Sequence, residues 1–168
     1  MESNFQVGDK AVHPAHGLGE VTAIESRAMG GIDGLYYVLK ILESGMRVMV
    51  PKRTAETVGL RVVMSAEEAA RVLEVFSTKE KPVGTGPWNR RLRAYTELLK
   101  SGSPVEVARV LRDLYTVKFR HEKELSYGER RLMDQARALL LKELAAATAT
   151  DEKTIERMIE ARCVEALA

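Results

Sequence analysis

From Phe5 to Met64 the chain is interrupted every several residues by glycine or by a Gly/Pro/Asp/Ser turn signal, with β-branched and aromatic residues filling the intervals. A chain so punctuated is confined to short strands. Phe5 to Val12, Leu18 to Arg27, Leu35 to Leu42, Met46 to Val50 and Val58 to Val63 give about five candidate strands on short turns, the pattern of a small barrel. Gly30-Gly31-Ile32-Asp33-Gly34 and Glu43-Ser44-Gly45 read as hairpin connections. Met46-Arg47-Val48-Met49-Val50-Pro51 is the candidate edge, because its side chains alternate and it closes on a proline that cannot donate to a ladder. Such an edge can accept a strand from another protein, with Arg47 and Met49 supplying specificity. A strand wholly paired inside the barrel is the alternative.

Beyond Met64 the punctuation changes to helix starts. Ser65-Ala66-Glu67-Glu68 is a capping-box signature, and Val72, Leu73 and Phe76 follow at helical spacing, so a helix is expected to run to about Ser77. Lys79 to Pro87 is polar, contains proline and glycine, and reads as a linker. Further helices are expected from Trp88 (buried stripe Leu92, Tyr95, Leu98, Leu99), from Ser103-Pro104 (Ala108, Leu111, Leu114, Tyr115), from Ser126 (Leu132, Met133, Ala136, Leu139, Leu140) and from Asp151 (Ile155, Met158, Ile159, Cys163). Their short connections indicate one compact bundle. The fold class is therefore α+β: a small β-barrel over residues 1–66 and a helical domain over 67–168, with the linker at 79–87 the expected point of cleavage.

Charge sharpens this division. The net charge is only +2 over 168 residues, yet residues 79–131 carry 13 Lys/Arg against 7 Asp/Glu, while residues 1–78 and 132–168 are each net −2. A basic module of this size suits a modest nucleic-acid contact rather than a stand-alone DNA binder. At its centre lies Gly84-Thr85-Gly86-Pro87-Trp88-Asn89-Arg90-Arg91-Leu92-Arg93, holding the only tryptophan. Arginines clamp phosphate, and a large apolar ring can enter between base steps. If Asn89 caps the helix, Arg90 and Arg91 occupy its first turn, where the helix dipole disfavours cations and an anion must compensate them. The other reading folds Trp88 onto its own helix as a staple above solvated arginines. These ten residues leave both open.

Catalytic signatures are missing. His13-Pro14-Ala15-His16 has no carboxylate or cysteine at matching spacing, so no metal is expected there. Gly84-Thr85-Gly86 has neither a preceding strand nor the third glycine of a dinucleotide loop, and Glu67-Glu68 point in different directions on a helix. No enzyme activity and no cofactor are expected. The single cysteine, Cys163, excludes an internal disulfide. No apolar run approaches a membrane span, and no export signal precedes Phe5, so a cytoplasmic protein is expected.

Three segments together identify a resemblance: Val7-Gly8-Asp9-Lys10-Ala11-Val12-His13-Pro14-Ala15-His16-Gly17-Leu18-Gly19, then Val50-Pro51 followed by Val58-Gly59-Leu60-Arg61, then Trp88-Asn89-Arg90-Arg91. The sequence resembles the bacterial CarD/CdnL-like family of transcription regulators over essentially its whole length. The resemblance implies a Tudor-like barrel that docks on the β subunit of RNA polymerase and a helical domain that contacts promoter DNA. In that family the tryptophan enters the minor groove at the upstream edge of the melted bubble, stabilising the open complex made with the housekeeping sigma factor. Carried over by position, Arg27, Arg47, Met49 and Pro51 would face polymerase, and Trp88, Arg90, Arg91 and Arg93 would face DNA. Met49 stands where some relatives have arginine, which implies an apolar contact there. The basic Pro/Gly-rich tail of longer members is missing, so autonomous minor-groove binding through it is not expected. A monomer acting with polymerase and promoter DNA is the resulting expectation. An architectural DNA-binding protein, or a protein adaptor, acting without polymerase are the alternatives.

Overall fold

A computed structural model of the chain describes residues 4–30, 32–120 and 124–167. Gly31 of the first expected hairpin lies outside them. The chain divides into two compact units, Met1–Val63 and Met64–Ala168.

The first unit is a four-stranded antiparallel sheet in the order β1 (Lys10–His13), β2 (Gly17–Met29), β3 (Ile32–Ile41) and β4 (Arg47–Pro51). Meander order follows from the short hairpins, since each strand can pair only with the one it has just left. An irregularity between Val21 and Ala23 shifts the β2–β3 register, and beyond it Ala23 faces Val38, Ile24 faces Tyr37 and Arg27 faces Gly34. Tyr37, Leu39 and Ile41 alternate onto a core shared with Phe5, Ala11, Val21, Val50, Ala55 and Leu60. Phe5 meets Tyr37 edge-on, with ring centroids 5.6 Å apart, and its N–H donates to the tyrosine hydroxyl at 3.2 Å.

Two expectations need correction. Of the first candidate strand, Phe5 to Val12, only the end from Lys10 is a strand, and it runs on to His13. The fifth, Val58 to Val63, is not one. After Pro51 the chain makes a 3-10 turn, Lys52–Thr54, and a single helical turn, α1 (Ala55–Val58), which Gly59 ends at φ 101°. Leu60 then enters the core, and Arg61 exchanges two backbone hydrogen bonds with Val12, at 2.8 and 3.1 Å. The expected strand is reduced to one bridge because burying Ala55 and Leu60 requires the chain to coil between them.

The second unit holds α2 (Ala66–Val75), α3 (Trp88–Lys100), α4 (Pro104–Arg120), α5 (Tyr127–Thr148) and α6 (Glu152–Leu167). The caps are where the local residue pattern places them. Ser65 and Glu68 form a reciprocal capping box, Ser126 and Glu129 form another, and the Asp151 carboxylate accepts the Thr154 N–H at 2.9 Å. The α4 helix is the centre of the bundle and is buried on most sides, through Val107, Ala108, Val110, Leu111, Leu114 and Tyr115. The α2 helix joins this core through Ala69, Val72, Leu73 and Phe76. Burial of a Val, Leu or Phe side chain contributes roughly 1.5–3 kcal/mol, which commits α2 to the helical unit.

The segment at 79–87 is not a boundary between units. Val83 and Gly84 N–H groups donate to the Asp113 carboxylate at 2.8 and 3.3 Å, and Met64 is itself part of the helical core. A chain tied down in this way is an internal strap of the helical unit, and cleavage within it would cut that unit rather than release two intact pieces. The polar composition of the segment reflects one exposed side, while its backbone is satisfied from beneath by a buried acid.

Candidate nucleic-acid interface

The α3 helix begins two residues earlier than a cap at Asn89 would give. Gly86 adopts φ 89°, Pro87 is the N-cap residue, and the Pro87 carbonyl accepts from Arg90 and Arg91 at 3.0 and 3.1 Å. No side chain caps this end and no acid lies in its first turn. Trp88 is therefore the first helical residue, with Arg90 and Arg91 close behind in a positive helix terminus.

The anion that compensates Arg91 comes from α5. Its guanidinium donates to the Glu129 carboxylate at 3.2 Å and lies 5.4 Å from the centre of the Trp88 ring and 5.8 Å from that of Tyr95. Burial acts to raise the Glu129 pKa, but hydrogen bonds from Ser126 and the Arg91 partner outweigh it and hold the carboxyl below its ordinary value. Both partners are thus charged. Arg91, expected to face DNA, is turned inward as a brace. Arg90 and Arg93 are exposed, and among the described residues neither carries an ion pair.

Trp88 is half-buried against the helical core, and its six-membered ring lies on Gly128 in the first turn of α5. A Cβ at position 128 would stand 2.6 Å from Cζ2 of the tryptophan, closer than non-bonded carbons approach, so glycine is what lets the ring seat there. The staple reading is corrected in one respect: Trp88 packs across onto α5.

Beneath this corner lies a buried polar knot. Asp113 accepts from Val83 N–H, Gly84 N–H and the Tyr95 hydroxyl, the last at 3.1 Å. Burial, and next the Asp113 charge, push the Tyr95 hydroxyl up to about 12, so it stays a neutral donor. Burial also raises the Asp113 pKa, against the opposing hydrogen bonds from Gly84, Tyr95 and Val83. Gly84 leaves no room above the ring, since a Cβ there would be 2.6 Å from Tyr95 Cζ. Asp113 thereby fixes Tyr95, which underlies Arg91, which braces Trp88. Sequence reasoning missed Asp113, Gly128 and Glu129 as parts of the corner. The signal available was Gly128 itself, because a glycine early in a helix sacrifices helix propensity and marks a close approach.

In the sheet unit the register brings the other four candidates onto one face. Arg47, Met49 and Pro51 alternate with Val48 and Val50, which turn to the core. Met49 lies opposite Val38, Pro51 opposite Tyr36, and Arg27 opposite Gly34 on the same side. The β4 strand ends the sheet, as the edge reading required. Arg47 is exposed, Met49 and Pro51 are half-buried, and Arg27 is hydrogen-bonded to Glu25 at 3.0 Å. Met49 is less free than an edge position suggested.

The class this defines is a two-part α+β protein, a small antiparallel sheet unit followed by a helical unit that carries a basic aromatic corner. Residues 5–64 match the family model of the CarD-like/TRCF RID domain, and residues 71–160 match that of the CarD C-terminal domain. The chain is 32% identical over 152 residues to the "Putative transcription factor YdeB" of Bacillus subtilis (strain 168), covering 90% of this chain and 97% of that one. The chain belongs to the CarD family of transcription factors.

Proposed function

We propose that this protein docks on the β subunit of bacterial RNA polymerase through the sheet face bearing Arg27, Arg47, Met49 and Pro51, and stabilises the promoter open complex by placing Trp88 at the upstream edge of the melted bubble. Arg90 and Arg93 hold backbone phosphates in this reading, while Arg91 positions the ring. It acts as a cytoplasmic monomer without a cofactor. The observation that carries the reading is the seating of Trp88: a half-exposed ring, braced by Arg91 and Gly128, beside two exposed arginines that have no ion pair among the described residues. A rigid aromatic held among uncompensated cations suits a polyanion that also offers flat apolar surfaces. The common face of the four sheet residues supports the docking half, and the family membership supports both.

Intrinsic DNA affinity of such a small basic module is weak and salt-dependent, so docking supplies the effective concentration. Aromatic stacking on a base is worth roughly 1 to 3 kcal/mol, about five- to a hundredfold in open-complex stability. Trp88→Ala is expected to lose most of that gain while polymerase affinity stays unchanged. The measurement is open-complex half-life against a competitor on a promoter the wild-type protein stimulates, and an unaltered half-life would sink the wedge.

Docking has its own test. Met49→Asp would expose Val38, which is buried beside it, and so disturb the sheet as well as the contact. Arg47→Glu is the cleaner variant because Arg47 is exposed. It is expected to weaken polymerase binding by about tenfold or more, since a reversed charge at an interface costs several-fold more than a truncation. Wild-type affinity in a pull-down or by interferometry, with the fold intact, would move the docking surface elsewhere.

A further inference from the structure

Tyr127 is the most exposed of the large apolar side chains among the described residues, at 79%. It is the first residue of α5 and immediately precedes Gly128, on which the Trp88 ring rests. Consecutive Cα atoms are about 3.8 Å apart, so the tyrosine leaves the backbone next to the point where the tryptophan ring makes contact. The fold makes no use of the ring in this position, because an exposed aromatic at a helix start buries nothing and the Ser126–Glu129 capping box does not involve it.

The surroundings indicate what would cover it. Arg90 in the first turn of α3 and Arg130 and Arg131 at the end of the first turn of α5 are exposed, and among the described residues none of them has an ion pair. The nearest acid of that turn, Glu129, is taken by Arg91. Cations near a helix N-terminus are disfavoured by its dipole, and the one acid in the first turns of α3 and α5, Glu129, is engaged by Arg91. A protein surface of ordinary mixed charge does not answer this pattern, whereas a phosphate backbone with sugars and bases between its charges does.

We propose that Tyr127 is a second aromatic contact to DNA, packing its ring on a base or deoxyribose adjoining the one met by Trp88. The proposal rests on the reading of Trp88 given above and extends the contact from α3 to α5. One exposed ring at the weak end of the stacking range corresponds to about fivefold in complex stability. Tyr127→Phe keeps the ring face and so keeps most of the effect.

The test uses the full-length protein in two assays. The first is open-complex half-life with polymerase for wild type, Trp88→Ala, Tyr127→Ala and Tyr127→Phe. The second is binding of the protein alone to a forked DNA duplex at low salt, followed by anisotropy. Tyr127→Ala is expected to shorten the half-life about fivefold and to weaken fork binding, with Tyr127→Phe near wild type and thermal stability unchanged. A shortened half-life for Trp88→Ala beside wild-type behaviour of Tyr127→Ala in both assays would overturn the tyrosine contact and leave the function standing. Unchanged half-lives for both alanine variants would sink the open-complex reading, and fork binding would then decide Tyr127 alone. Loss of polymerase affinity by Tyr127→Ala in the absence of DNA would assign the ring to a protein partner and overturn the proposal.

Discussion

Replacing Asp113 by alanine is expected to lower the stability of the helical unit by about 4 kcal/mol, a large part of the roughly 5–15 kcal/mol that holds an ordinary domain folded. The carboxylate is 5% exposed and serves three donors at once: Val83 N–H, Gly84 N–H and the Tyr95 hydroxyl. Its other oxygen lies 3.8 Å from the buried Arg112 guanidinium, whose Nη2 has no hydrogen-bond partner. Each buried donor left unsatisfied costs about 1–3 kcal/mol, and Arg112 would be left with its Glu80 carboxylate, 3.2 Å from Nη1, and its Thr78 hydroxyl. Asp113→Asn keeps an acceptor oxygen of the same shape and should recover a substantial part of the loss. Urea denaturation of the three proteins measures this, the 79–87 strap reporting through Trp88 fluorescence. An alanine variant within about 1 kcal/mol of wild type would mean that water replaces the carboxylate and that the knot does not hold the strap.

Gly128→Ala is expected to separate stability from function in the opposite way. In a helix interior alanine gains roughly 0.5–1 kcal/mol over glycine, and in the first turn, where Gly128 lies, at most that; Gly128 is not among the residues with positive φ, so the backbone accepts the change. The added methyl, however, would lie 2.6 Å from Trp88 Cζ2 and 3.3 Å from Cε2. The indole must move, and it leaves the position braced by Arg91. Thermal stability should therefore change little, because gained propensity offsets lost packing. Open-complex half-life should fall about as far as in Trp88→Ala, by five- to a hundredfold on the same stacking scale. Since Trp88 is the only tryptophan, its emission reports the displacement directly. Wild-type emission together with a wild-type half-life would show that the seat is not what presents the ring.

These two substitutions fall on residues whose roles differ in legibility. The helix starts at Ser65, Ser126 and Asp151 could be read from the chain because a cap closes over three residues, and the groups that satisfy one another are already side by side. The same holds for β4, where alternation alone separates Arg47 and Met49 from Val48 and Val50. Local chemistry misled where a distant partner overrode it. The polar strap at 79–87 has the composition of a linker, but the amides of Val83 and Gly84 are met by an acid 30 and 29 positions later. Val58 to Val63 has the residues of a strand, and Gly59 and the burial of Ala55 and Leu60 bend it into a turn instead.

The basic tryptophan corner was recognisable from its own ten residues, together with the need for an anion near Arg90 and Arg91. Which anion, and for which arginine, was not. Glu129 lies 38 positions from Arg91, and the contact depends on how α3 is rotated and slid against α5, quantities set by the packing of whole faces rather than by any short pattern. By itself the sequence determined the order of sheet and bundle, the ends of the capped helices, the edge strand and the charge of the central module, because each of these is an interaction between near neighbours or a property of composition. Only the tertiary structure decided that Arg91 braces while Arg90 and Arg93 remain exposed, and that Gly128 is the seat of Trp88, because those assignments require two helices to meet in one register and the free energy that selects it is spread over the entire core.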